Sequence, residues 1–259
     1  MKLLSSLLAH PLTRGLDIDE ARSTLLRRRI IKEKAFLHKI YLEWYHWIVK
    51  SLPAGDEPVL ELGSGGGFLS EIVADVITSD VFSLPNVAVA LDAHYLPFKS
   101  NSLRAIAMVN VLHHLSRSPC FFHEAMRCVR KDGRVLLIEP WVTPWSAWVF
   151  RNLHHEPFDP NATDWEFTST GPLSGANEAL PWILFHRDRD LFEQQFPEWR
   201  IQTLEVFMPF RYIVAGGVSF RSLVPGAAFE AVTLIEGLFN RWMHLLGMFC
   251  KIVLVKSDR

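Results

Sequence analysis

Glu61, Gly63, Gly65, Gly67 and Asp80 are the residues whose types and spacing can do chemistry together in this chain. The run Val59-Leu60-Glu61-Leu62-Gly63-Ser64-Gly65-Gly66-Gly67 reads as a short apolar strand followed by a glycine-rich turn, with a carboxylate just ahead of the turn. Glycines let backbone approach a ligand where any Cβ would collide. A second carboxylate, Asp80, closes the next apolar run, residues 76–80. An acid about 20 residues beyond such a turn can accept hydrogen bonds from both hydroxyls of a ribose. Together these residues suit a nucleoside cofactor.

The spacing argues against a nicotinamide. Dinucleotide sites carry G-x-G-x-x-G/A. Here the glycines run G-x-G-x-G, and Phe68 takes the place of the third spaced glycine. Glu61, two residues before Gly63, would also repel a pyrophosphate, whereas it favours a cationic ligand. The arrangement resembles motif I of the class I S-adenosylmethionine-dependent methyltransferases, E/D-x-G-x-G-x-G, in the manner of the type-11 methyltransferase domain.

The resemblance continues in order along the chain. Leu91-Asp92-Ala93-His94-Tyr95-Leu96-Pro97-Phe98 is similar to the family's D-A-x-x-L-P-F segment. Residues 109–115, Val-Asn-Val-Leu-His-His-Leu, resemble the end of its fourth strand and the loop that follows. Residues 127–139 resemble the segment that opens its fifth strand. The match spans roughly residues 57–141. It implies S-adenosyl-L-methionine as cofactor, with Glu61, Gly63, Ser64, Gly65 and Gly67 around the methionine part. Asp80 would take the ribose, Asp92 and Ala93 the adenine side, and Asn110 the border of the sulfonium. Tyr41 or Tyr45 would reach the amino-acid carboxylate from an N-terminal helix. Two departures stand out: the 81–86 connection, with Leu84-Pro85-Asn86, holds little more than a turn, and the fourth strand opens Leu103-Arg104 where the family has Phe-Asp.

Methyl transfer needs alignment of nucleophile and sulfonium, plus a base when the acceptor is a hydroxyl. His113 and His114 follow the fourth strand, where a base would stand, yet they serve equally well as packing or loop-fixing residues. His154 and His155, followed by Glu156, are the alternative; neutral imidazole is a good base near pH 7. Structural hydrogen bonding accounts for them as well. Adjacent histidines lack the i, i+4 spacing of helical metal ligands, so no metal site is expected. The string Arg187-Asp188-Arg189-Asp190 reads as a surface ion-pair cluster, and most tryptophans as core.

The elements that must position these residues follow from periodicity. Leu37, Ile40, Tyr41, Trp44, Tyr45 and Ile48 recur at helical spacing, which places a helical region over 19–50, ended by Pro53-Ala54-Gly55. Its basic run, Arg27-Arg28-Arg29 with Lys32 and Lys34, is a solvated face or a contact for acidic groups. Alternating strands and helices over 57–141 predict a Rossmann-like, doubly wound, mostly parallel α/β sheet, with a helix starting at Phe68 and strands at 76–80, 87–92, 105–110 and 134–139. Ligands of such sheets bind beyond the carboxyl ends of the strands. Residues 141–188 are aromatic and irregular and leave that end of the fifth strand. Residues 142–200 are therefore read as a cap over the pocket that carries the acceptor site. Two late strands, 201–207 and 248–256, with a helical insertion between them, would form a C-terminal antiparallel hairpin over 201–259. The whole is read as one methyltransferase domain over 1–259.

Composition sets bounds. The chain has 259 residues and a net charge of −1, so no basic field favours nucleic acid. Its three cysteines, Cys120, Cys128 and Cys250, suit a reducing, cytoplasmic setting. The opening 1–8 run is too short for a signal segment, and no apolar stretch is long enough to span a membrane; peripheral membrane contact stays open. The expected activity is methylation, at oxygen, of a small-molecule or a lipid- or sugar-linked acceptor. A non-catalytic cofactor-binding protein and a nicotinamide oxidoreductase are the alternative classes.

Overall fold

The central strand segments, residues 59–62, 103–108 and 135–140, are buried throughout, as strands covered on both sides must be. In the computed structural model, which describes residues 17, 19–154, 156–169, 171 and 173–257, two helices, α1 (Ala21–Glu33) and α2 (Ala35–Ser51), precede the sheet. The strands are β1 (Val59–Leu62), β2 (Val76–Asp80), β3 (Val89–Ala90), β4 (Leu103–Val109), β5 (Val129–Pro140), β6 (Trp199–Phe207) and β7 (Phe249–Lys256). They form one seven-stranded sheet in the order β3-β2-β1-β4-β5-β7-β6. All pairings are parallel except those of β7, which runs antiparallel to both β5 and β6. The Rossmann-like sheet and its C-terminal hairpin are those expected from the sequence.

Alternation along β4 and β5 divides the core. Ile106, Met108, Val135 and Leu137 face a layer built on Phe121, Phe122, Phe185, Phe192 and Phe196. Ala105, Ala107, Leu136 and Ile138 face the other layer, where α2 packs Leu37, Ile40, Trp44 and Ile48. The helical stripe read from the sequence is thus the buried face of α2. The aromatic load supplies these layers: Phe122 alone meets the rings of Phe121, Phe185, Phe192 and Phe196 at centroid distances of 5.0–6.0 Å, within the range where offset and edge-on aromatic pairs attract.

Three expectations change. The helix expected from Phe68 is only a 3-10 turn, Leu69–Glu71, because residues 68–75 must also return the chain to the start of β2. The third strand, expected over 87–92, is reduced to Val89–Ala90. The segment expected to be irregular over 141–188 begins with a helix, α4 (Pro144–Leu153), which follows α3 (Ser118–Cys128), the helix that joins β4 to β5. Thr143 caps α4 through the backbone N–H of Ser146, whose side chain returns the bond, and Pro144 opens the helix. Capping box and N-terminal proline are both strong start signals. Beyond it, a π-helical turn, Ile183–Arg187, leads to α5 (Arg189–Gln195). The expected charge cluster is an Arg187–Asp188 pair at 2.7 Å and an Arg189–Glu193 pair at 2.8 Å.

The β6–β7 insertion carries α6 (Arg211–Ala215) and α7 (Phe229–Gly237). Buried Arg211 joins it to α2 by pairing with Glu236 and with Glu43. Among the described residues no helix is long and apolar enough to cross a membrane. The opening 1–8 run lies outside the described residues.

Candidate functional site

The order of β1 between β2 and β4 makes a switch point, since the chain leaves β1 toward one neighbour and returns on its other side. At the carboxyl ends of these strands lies a cavity of about 1040 Å³. Its floor is the glycine turn. Ser64 holds that turn to β2: its amide donates to Ser79 O at 2.8 Å, and its hydroxyl donates to Glu61 O at 3.0 Å and accepts from the Ser79 amide at 3.1 Å. Gly63 has φ +70°, and a Cβ on it would run into the Val111 side chain. A Cβ on Gly67 would run into the Tyr45 hydroxyl and come within 3.1 Å of Glu61 Oε1.

Glu61, Gly63 and Gly67 line the cavity, as do Asp80, Asp92, Ala93, Asn110 and Tyr41. Ser64 and Gly65 lie in the turn but not in the cavity wall. A Cβ on Gly65 would meet Asp80 Oδ2 and the Leu84 side chain at 2.6 Å, so this glycine admits a neighbouring acid and not the ligand directly.

Glu61 is 4% exposed and its Oε2 has no hydrogen-bond partner. Burial pushes this carboxyl up to about 7, against the Tyr45 hydroxyl and the charge of Arg28, with the Asp80 charge adding to the rise. An orphaned carboxylate oxygen facing a cavity is a seat for a cation. Asp80 accepts from the amides of Gly65 and Phe82, each at 3.0 Å. Burial raises it too, opposed by those amides. Asp92 Oδ1 accepts from the His94 amide at 2.9 Å and meets His94 Nδ1 at 2.5 Å. His94 Nε2 in turn accepts from the Arg117 amide at 3.2 Å, which fixes Nδ1 as the protonated nitrogen. Asn110, at the end of β4, has φ +56°, a left-handed conformation that asparagine tolerates better than most residues. Burial pushes the Tyr41 phenol up to about 12, with the Asn110 side chain opposing the rise.

The other part of the cavity is built from histidines and glutamates. Glu139, fully buried at the end of β5, accepts from the amides of Val111 and Leu112 at 2.8 Å and meets His113 Nδ1 at 2.7 Å. It thereby fixes both the loop after β4 and the His113 ring. His113 Nε2 lies 3.4 Å from Glu156 Oε2, and His114 Nε2 lies 3.8 Å from the same oxygen. His114 Nδ1 is 3.2 Å from Gly175 O. His154 Nδ1 is 3.2 Å from Glu178 Oε1. Burial alone would lower His113, but Glu178, Glu139 and Glu156 outweigh it and hold the ring well above its ordinary value. His114 is pushed down to about 4 by burial and by its charged neighbour His113. Burial raises Glu178 well above the usual carboxyl range, with the Glu156 charge adding to it, while His113, His114 and His154 hold Glu156 well below.

Beyond β5, His154, Glu156 and Glu178 line the same cavity. The Asn177 side chain accepts from the Asp159 amide at 3.0 Å and donates to Asp159 O at 3.0 Å, and its amide donates to His113 O at 2.8 Å. This clamp brings Glu156 and Glu178 onto the loop after β4. The structure therefore places His113, His114 and His154 in one cavity with Glu61 and Asp80. His155 lies outside the described residues. Sequence reasoning missed Glu139 and Glu178. For Glu139 a signal existed: a carboxylate closing an apolar strand, as in Asp80. Glu178 has no local signal, since its partners come from distant segments.

Residues 60–137 match the family model described as a methyltransferase domain. Among curated proteins none matches the sequence. Solved structures resemble it at the level of fold. Geranyl diphosphate C-methyltransferase from Streptomyces coelicolor A3(2), in complex with Mg2+, geranyl diphosphate and S-adenosyl-L-homocysteine, is 11% identical, with 97% of this chain and 89% of that one covered at a TM-score of 0.52. A methyltransferase in complex with the Haloferax volcanii Trm112 methyltransferase activator is 11% identical, with 93% and 97% covered and a TM-score of 0.51. A geranyl diphosphate methyltransferase in complex with GPP and sinefungin is 13% identical, with 88% and 81% covered and a TM-score of 0.52. Residues 60–137 thus match the methyltransferase domain family, and the chain shares the fold of these methyltransferases.

Proposed function

We propose that this chain transfers a methyl group from S-adenosylmethionine to a small-molecule acceptor, at oxygen, within the 1040 Å³ cavity. The observation that carries the reading is the single cavity that joins a glycine turn with an orphaned carboxylate to a separate cluster of imidazoles and carboxylates. The first part fits the cofactor. The Glu61 Oε2 seat suits the ammonium of its amino-acid tail, and the glycine turn lets the backbone approach that tail. Asp80 takes the ribose hydroxyls, Asp92 and Ala93 border the adenine, and Asn110 and Tyr41 border the sulfonium and carboxylate.

The second part fits an acceptor that must lose a proton. An acceptor hydroxyl oxygen attacks the methyl carbon as the carbon–sulfur bond breaks, the sulfonium becomes a thioether, and the hydroxyl proton passes to a base. His154 is the residue we assign to that base. It lines the cavity, its ring is partly exposed, and its Nδ1 is held by the Glu156 amide, which donates to it at 3.3 Å, with Glu178 Oε1 at 3.2 Å. His113 is held between Glu139 and Glu156, and His114, pushed to about 4, is a weak acceptor. The bound molecules of the similar structures do not choose this acceptor, since the likeness is of fold. A lipid-linked acceptor gains support from the exposed apolar side chains of α7 and the turn after it, Leu234, Ile235, Leu238 and Trp242, a face suited to a membrane surface. We read the chain as one methyltransferase domain.

Isothermal titration tests the reading. S-adenosylhomocysteine should bind at one equivalent and NADH should not. Binding of NADH with no response to S-adenosylhomocysteine would refute it.

A further inference from the structure

We propose that His113, His114 and Glu156 form a binding site for one divalent first-row transition ion in the wall of the cavity. The ligating atoms of these three residues all lie within 4.8 Å of one another. Both imidazoles aim Nε2 at the same carboxylate oxygen, Glu156 Oε2, at 3.4 and 3.8 Å. Ligands about 2.0–2.2 Å from a common ion stand roughly 3.0–3.5 Å apart along an octahedral or tetrahedral edge. Of the two separations from Glu156 Oε2, one falls in that range already and the other closes with a shift of a few tenths of an ångström, while the two imidazole nitrogens lie within 4.8 Å of each other.

The outer contacts favour an ion over a chain of hydrogen bonds. Metal-binding histidines commonly give the N–H of their second nitrogen to a carboxylate or a backbone carbonyl. His113 Nδ1 has Glu139 Oε2 at 2.7 Å, and His114 Nδ1 has Gly175 O at 3.2 Å. A carbonyl oxygen can only accept, so Nδ1 of His114 is the donor. In the neutral ring Nε2 is then a lone pair that faces a carboxylate oxygen. Two acceptors facing each other repel unless a cation stands between them. Further carboxyl groups stand nearby. Glu156 belongs to a second group of the same kind, with His154 and Glu178. Glu178 is 3% exposed and its Oε2 has no hydrogen-bond partner.

Two imidazoles and one carboxylate suit zinc, iron, manganese or cobalt, and leave further coordination positions open. Oxygen ligands can fill those positions from the cavity. The ion site does not depend on methyl transfer. If that reading holds, an ion here would polarise the acceptor oxygen that His154 deprotonates. The sequence concealed the site because its ligands come from the loop after β4 and from the cap.

The test uses the full chain, freed of metal with a chelator and titrated with Co2+, then Zn2+, with Mg2+ as a hard-ion control. One equivalent of Co2+ should bind, give ligand-field absorption in the visible, and be displaced by Zn2+. Mg2+ should not compete at equal concentration. His114→Ala and Glu156→Gln should weaken Co2+ binding at least about a hundredfold. Glu139→Gln, which keeps the shape of the orienting side chain, should weaken it about tenfold to a hundredfold. S-adenosylhomocysteine affinity, measured on each variant, reports whether the fold survives. Should the first two variants not fold, wild-type stoichiometry and Glu139→Gln decide. Absence of saturable one-to-one Co2+ binding, or variants that fold and bind as wild type does, would overturn the proposal. Cofactor binding without metal binding would remove only the ion site. Metal binding without cofactor binding would remove only the proposed function.

Discussion

If Glu61 seats the ammonium of the cofactor, affinity must depend on pH through this one carboxyl. Without ligand, burial holds Glu61 at about 7 against an ordinary 4.5, which disfavours its ionised form by about 3 kcal/mol. The sign follows directly. The folded apo-protein holds a proton on Glu61 that the unfolded chain has lost, so this group lowers stability as pH rises from 4.5 to about 7. A bound ammonium favours the ionised form and pulls the carboxyl down. Below 7, then, the ligand must displace a proton to bind. At pH 6 about a tenth of Glu61 is ionised without ligand, and at pH 8 about nine tenths. Affinity for S-adenosylhomocysteine should therefore be about tenfold weaker at pH 6 than at pH 8, or about 1.4 kcal/mol, and level off above that. Calorimetric titration at several pH values, repeated in buffers of different ionisation enthalpy, reads both the affinity and the proton released. Glu61→Gln should bind more weakly at pH 8 and lose the slope. A flat wild-type profile, or the same slope in Glu61→Gln, would refute the assignment and move the titration to another group.

Other residues yield sharper single measurements. Asp80→Asn keeps the shape of the side chain but removes the charge; it should weaken S-adenosylhomocysteine binding at least about tenfold, as expected for losing charge-assisted bonds, and an unchanged calorimetric Kd would show that the ribose lies elsewhere. His154→Ala should leave that Kd within about threefold and cut turnover about a hundredfold; equal losses in both would make His154 a cofactor residue instead. Glu236→Ala leaves Arg211 buried, with exposed-side Glu43 as its remaining carboxylate; loss of such a partner costs about 3–5 kcal/mol, read as a lower midpoint in urea, and a change under about 1 kcal/mol would mean that Glu43 and solvent suffice.

What could be read from sequence was whatever local spacing encodes. The stripe Leu37, Ile40, Trp44, Ile48 gave the buried face of α2, and the glycine turn with Glu61 and Asp80 gave one end of the cavity, because each strand of a parallel sheet delivers its carboxyl end to the same edge. The failures were also local in cause. The helix expected after Phe68 has no room before β2. In the cap, aromatic composition drew attention away from Thr143, Pro144 and Ser146, whose capping signals were present. Ser64 and Gly65 sit within the motif yet outside the cavity wall, since a turn needs residues that hold its shape as well as residues that face the ligand.

The histidine–glutamate cluster shows why the rest was not legible. His113 and His114 are adjacent, and adjacent residues ordinarily diverge. Here the 3-10 turn Leu112–His114 lets both rings converge on one side, with centroids 4.3 Å apart. That turn exists because Glu139 binds the amides at its start, and Glu139 reaches it only because β5 pairs with β4 in a register that sets Val109 beside Ile138. Glu156 and Glu178 arrive by a third route, the Asn177 clamp. Sheet register, turn type and clamp must all form before the five ionisable side chains meet. Burying them together is unfavourable without compensation, so the fold carries this cluster at a cost in stability. A cost of that kind is expected where charge does chemistry.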